Sequence, residues 1–366
     1  MKNLFSQKVM VLIALFSNSL LFVNIDSFGK EPTNVILIIG DGMGVAQWQA
    51  GLIANKGQLN LKKFENIGFL LNHSANSLSG AAPDNSTAFA TGVKSYMGAV
   101  SVNSDTIPVK SIIEYAEENG ISTGIVSANT LLEGGVAPFV AHEKTRKEME
   151  NIAASYLTHN LDVFIGAGSS FFTQRKDGRN LLEEFRQKGY QVVQSMDSIK
   201  KIKSGKLAGL TAEQNNPGIN EGRGSMFPDA VQSALNILSK NKKQFFLLMA
   251  DVFIDRASHS GNAELVAHET IDLDKAIGKA LEFAEKDRNT VVIVTGGPEA
   301  SGMALTGGSF PKGIIEAKWA APGMVHTGNM TPIFAFGPKS DQFRGIQDNT
   351  EIFHTMTNLL GLKINK

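Results

Sequence analysis

The sequence predicts an α/β fold, with a mostly parallel central sheet flanked by helices on both faces, and three observations lead there. From residue 34 onward, short apolar runs alternate with longer helical patterns. Most runs are continuously hydrophobic, as strands buried on both faces must be, rather than alternating with polar residues. The chain is also long and apolar enough for one large core, with 366 residues of which 42% are hydrophobic. The runs are Asn34 to Gly40, Gly68 to His73, Ser122 to Ala128, Asp162 to Gly168, Phe245 to Asp251, Thr290 to Gly296 and Pro332 to Pro338. Helical patterns fall at 109–119, 137–157, 228–240 and 262–287. Residues 199–226, rich in Lys, Gly and Asn, read as a surface insertion within a single domain spanning 30–366.

Residues 1–29 read separately. Lys2 and Lys8 accompany an apolar stretch from Val9 to Val23, and the small residues Ser27 and Gly29 precede Lys30. This is the pattern of a secretory signal peptide, the alternative being an uncleaved anchor. Cleavage implies a periplasmic or secreted protein with no stable membrane association. The 35 Lys and Arg against 35 Asp and Glu leave no long-range field to gather nucleic acid. With no Cys, disulfides, thiolate metal sites and a cysteine nucleophile are excluded, so any metal must be held by Asp, Glu and the seven His.

In open α/β sheets, ligands bind beyond the carboxyl ends of the strands. Asp41 closes the first run between glycines that let the backbone approach a ligand, although a helix cap is an equally simple role for it. Asp255 and His259, four residues apart just past the run 245–251, share a face of a helical turn and can grip one ion. His326, among glycines, is a third donor. Two imidazoles and one carboxylate with an open fourth position form the donor set of a catalytic zinc site, while an Asp–His hydrogen bond is the plainer reading.

These segments resemble the alkaline phosphatase family. Ile38 to Gly44, Thr87 to Ala99, Ala137 to Arg146, Asp255 to His259 and His326 to Pro338 match its motifs in order. The resemblance implies an alkaline-phosphatase-like three-layer sandwich, possible homodimers, a phosphate ester or other small anionic ligand, and a site of two zinc ions and usually one magnesium. Its first zinc site falls on Asp255, His259 and His326, its phosphate-clamping arginine on Arg146, and the carboxylate facing the other metals on Asp41.

Elsewhere the chain departs from the family pattern. The serine nucleophile becomes Ala82 and its neighbouring metal aspartate Ala81. The second zinc's Asp and His become Gly297 and Pro298. The magnesium ligands fall on Ala250 and Gly135, with Asp251 and Glu133 as nearby acids. Ser86 or Thr87 replaces the nucleophile only if the loop is re-registered. The expectation is one zinc, doubtful magnesium, and a reduced hydrolase in which Arg146 clamps the anion and Asp41 or Glu133 accepts a proton. The alternative is an inactive family member that binds zinc and an anionic ligand without turnover.

Overall fold

The computed structural model describes residues 33–364 apart from 242, 243, 322 and 324, and the signal-peptide reading of 1–29 lies outside them. The first strand sets the pattern. In β1 (Asn34–Gly42), Val35, Leu37 and Ile39 pack into one core cluster, while Ile36 and Ile38 pack into another. Since successive strand side chains point to opposite faces, the sheet is buried on both sides.

The remaining strands are β2 (Asn66–Leu71), β3 (Ser122–Thr130), β4 (Val163–Ala167), β5 (Gln191–Val193), β6 (Leu207–Leu210), β7 (Phe245–Asp251), β8 (Thr290–Ala300), β9 (Met303–Ser309), β10 (Ile314–Trp319), β11 (His326–Thr327), β12 (Thr331–Phe336) and β13 (Gly345–Asp348). The main sheet runs β13-β2-β12-β8-β1-β7-β3-β4-β6-β5, with β11 paired to β8. Neighbours from β8 to β5 are parallel; β12 and β11 run antiparallel. β9 and β10 form a separate antiparallel pair. All seven expected runs are strands, and the sheet is mixed but mostly parallel.

Two expectations need correction. The stretch 199–226 is not merely a surface insertion, because Leu207–Leu210 is a fully buried strand between β4 and β5. Residues 137–157 are not one helix. Only Ala137–Phe139, Met149–Ser155 and Tyr156–Thr158 are regular, because Glu143 pairs with Val100 and the Arg146 amide donates to the Gly98 carbonyl. Those backbone groups are satisfied across to the 98–102 turn and cannot also bond along a helix. The 25-residue helix Ala263–Asp287 does match its expected range, capped by the Asn262 side chain at the Leu265 amide. Among the described residues, no helix is long and apolar enough to cross a membrane.

Candidate active site

β1, β7 and β8 are parallel neighbours, and the candidate residues gather at their carboxyl ends. Beyond β7, Asp251 Oδ1 accepts from the Phe253 amide at 2.8 Å, starting the helix Phe253–His259. That helix places Asp255 and His259 one turn apart, with His259 Nε2 3.2 Å from Asp255 Oδ1. β11 pairs with the end of β8, His326 opposite Ala300, and brings His326 Nε2 to 3.1 Å from the same oxygen. Gly42 makes this approach possible. Its φ is +74°, and a Cβ there would lie 2.5 Å from the Asp255 Cα.

Asp255, His259 and His326 are the one His/Asp/Glu group among the described residues whose donor atoms all lie within 4.8 Å of one another. His259 Nδ1 lies 2.7 Å from the Gly323 carbonyl and 3.0 Å from Ser301 Oγ. A proton on Nδ1 for the carbonyl leaves the lone pair of a neutral ring on Nε2, aimed at a carboxylate oxygen. Two lone pairs facing each other need a proton or a cation between them. Burial raises the Asp255 carboxyl, but the hydrogen bonds from His259 and His326 outweigh it and hold its pKa at about 2. The Asp255 hydrogen bond raises His259, and at His326 it overcomes the lowering by burial.

Asp41 ends β1, 4% exposed, and its Oδ1 accepts from the Gly42 amide. Burial pushes its carboxyl well above the usual range, reinforced by Asp255 and Glu133 and opposed by His326 and Arg146. Glu133 Oε1 accepts from Arg256 Nη2 and from Asn129 Nδ2, each at 2.7 Å. Arg146 is exposed and lines a cavity of about 330 Å³ together with Glu133, Asp255 and Arg256. Its side chain makes no hydrogen bond or ion pair with a described residue.

Of the positions where the sequence departs from the family pattern, Gly297 borders Asp41. Ala82 opens the helix Ala82–Thr91, with Pro83 second. Ser86 and Thr87 are fully buried; Ser86 has no hydrogen-bond partner, and Thr87 is held by Ala99 and Ser101. Neither can reach a phosphorus atom. A Cβ on Gly297 would lie 2.9 Å from Asp41 Oδ1, and one on Gly135 would lie 3.8 Å from the Ala250 Cβ. Pro298 sits in β8 where its register with β1 shifts between Gly40 and Gly42, a bulge that tolerates a residue without an amide proton. Asp251 Oδ2 is buried without a hydrogen-bond partner, and burial raises its pKa to about 7 against Arg223, with Glu269 reinforcing the rise.

Sequence reasoning missed Asp84 and Arg256. Asp84 reaches back from the third residue of its helix to the Ala81 amide at 3.0 and 3.1 Å, and also accepts from the Gly98 amide at 3.2 Å. An acid three residues after the cap is a recognisable half of a capping box, so the signal was present. Arg256 adjoins Asp255 in sequence, but its pairing with Glu133 is non-local. His159 is buried between Glu117 and the Val140 carbonyl.

The alkaline phosphatase family model matches residues 32–314. The chain is 31% identical to alkaline phosphatase 4 of Bacillus subtilis (strain 168), with 88% of this chain and 87% of that protein aligned. Against the alkaline phosphatase of Escherichia coli (strain K12) it is 30% identical, covering 92% of this chain and 88% of that protein. The structure of alkaline phosphatase from the Antarctic bacterium TAB5 superposes with a TM-score of 0.85 at 33% identity, covering 91% of this chain and 99% of that one. Identity at this level along nearly the whole chain, on a shared fold, places the protein in the alkaline phosphatase family, whose members hydrolyse phosphate esters.

Proposed function

We propose that this chain is an exported hydrolase of phosphate monoesters, or of a related ester, working at a single zinc site with Arg146 as anion clamp and without a phosphoserine. One observation carries this reading. Ligands each about 2.0 Å from a tetrahedral zinc stand about 3.3 Å apart, and His259 Nε2 and His326 Nε2 stand 3.2 and 3.1 Å from Asp255 Oδ1. The hydrogen bond from His259 Nδ1 to a backbone carbonyl is the usual support of a metal-bound imidazole. Asp255, His259 and His326 would hold the ion, which when bound supplies Lewis acidity to a phosphoryl oxygen and acidifies water.

The chain's own groups do the rest. Arg146, with no competing partner, binds two oxygens of the phosphate side by side, as a planar guanidinium can. Asp41 is the carboxyl that accepts a proton, since Glu133 is already engaged by Arg256 and Asn129. Ala250 and Gly135 offer no side-chain donor at the positions of the family's magnesium ligands, which speaks against that ion. The lysine-flanked apolar stretch before residue 24 supports export, to the periplasm or beyond. Dimerisation is carried over from the family resemblance.

A second reading, a family member that binds zinc and an anion without turnover, is favoured by Ala82, which has no nucleophilic hydroxyl. Hydrolysis of p-nitrophenyl phosphate by zinc-reconstituted wild type and His259→Ala, with zinc content measured on both, separates the two. The hydrolase reading expects one zinc per wild-type chain and activity that disappears in the variant. Zinc bound with equal background rates in both establishes the binding protein instead.

A further inference from the structure

We propose that the cavity beside Arg146 is a leaving-group pocket that selects phosphate monoesters of flat apolar alcohols, phenols above all, over those of small alkyl alcohols. This rests on the reading of Arg146 as the anion clamp. The cavity has two unlike walls. One is apolar: Met149 begins the helix three residues after Arg146, and Phe171 lies in the helix Ser169–Thr173 after β4. Met149 and Phe171 are half-buried and pack against the core below them, so their remaining surface faces the cavity from a fixed support.

The rest of the lining is mostly polar, and part of it is paired internally. Arg256 Nη2 donates to Glu133 Oε1 at 2.7 Å, and Asn129 Nδ2 donates both to that oxygen and to Asn215 Oδ1, at 2.7 and 2.9 Å. A ring leaves these bonds intact and covers the apolar surface of Met149 and Phe171. Arg146 is then the charged group left for an anion. The volume, about 330 Å³, is near the lower end for ligand pockets, roughly 300 to 1,000 Å³. It suits one ring rather than a long chain.

Calorimetric titration of the zinc-reconstituted full chain with phenylphosphonate, methylphosphonate and inorganic phosphate tests this. Phosphonates cannot be hydrolysed, so the measurement does not depend on turnover. Phenylphosphonate is expected to bind roughly tenfold or more tighter than methylphosphonate, the scale of a modest hydrophobic difference in a fitted pocket. In Phe171→Ala and Met149→Ala the ratio should fall markedly, with Phe171→Leu as a milder variant should the first not fold. If phosphate binds but wild type does not discriminate, or all three variants keep the full ratio, the pocket proposal alone is overturned. If no anion binds, the clamp reading fails and takes this proposal with it.

Discussion

Replacing Asp84 by Asn should change the stability of the metal-free protein in opposite directions at the two ends of the pH range. The carboxylate is 2% exposed, and burial lifts its pKa from 3.8 to about 6 despite the Ala81 and Gly98 amides and His326. The folded chain therefore holds this proton more tightly than the unfolded one. The stability so contributed is full below pH ~4 and is lost as pH rises through ~6. A shift from 3.8 to about 6 corresponds to about 3 kcal/mol. Asparagine never ionises, and its single oxygen placed at Oδ1 can serve both amides, at 3.0 and 3.2 Å. It loses the Oδ2 contact at 3.1 Å, a cost of about 1 kcal/mol. The variant should thus be about 1 kcal/mol less stable than wild type near pH ~4, and about 2 kcal/mol more stable near pH ~8. Urea unfolding followed by circular dichroism, at unit steps across that range and after chelation, measures the difference while other titrations cancel. Chelation matters because a cation beside His326 would pull the Asp84 pKa down. A difference that stays constant with pH, or slopes the other way, refutes the reasoning.

Three further outcomes follow from the site. Arg146→Lys should weaken phosphate binding roughly tenfold and Arg146→Ala roughly a hundredfold, since a point charge replaces a two-pronged donor in the first and nothing does in the second; equilibrium dialysis with labelled phosphate reads both. Ala82→Ser should yield no trapped phosphoenzyme after acid quenching of a labelled substrate, because Gly297 and Pro298 give no second cation to ionise the hydroxyl. Gly42→Ala should reduce both zinc content and stability, by about 1 to 3 kcal/mol or more, because the residue sits at φ +74° with the Asp255 backbone 2.5 Å from the new methyl; metal analysis and thermal unfolding check it.

The strands most readable in the sequence are those whose apolar runs are long. β1 and β7 expose nothing worth noting on either face, so every residue from Val35 to Ile39 carries the signal. β5 and β13, three and four residues long at the sheet edges, carry no comparable run. β6 is buried but too short to stand out from its Lys- and Gly-rich surroundings. The site divides in the same way. Asp255 and His259 are legible from helical spacing alone, whereas His326 is legible only as a histidine among glycines, because the β11–β8 pairing that brings it 71 positions back to Asp255 is non-local. The bonds from Asp84 to Gly98 and from Glu133 to Arg256 join segments that local periodicity does not relate.

The small residues around Asp41 also bear on how the chain can evolve. Restoring a side chain at Gly297 alone sets its first carbon 2.9 Å from Asp41 Oδ1, and an aspartate there would add a second carboxylate to a carboxyl already reluctant to ionise. Its benefit would appear only with a donor at residue 298, where proline now sits against the bulge, and with acid and hydroxyl back at 81 and 82. Each such change taken singly is therefore unfavourable or without effect, so a further metal position beside Asp41 would require several changes made together.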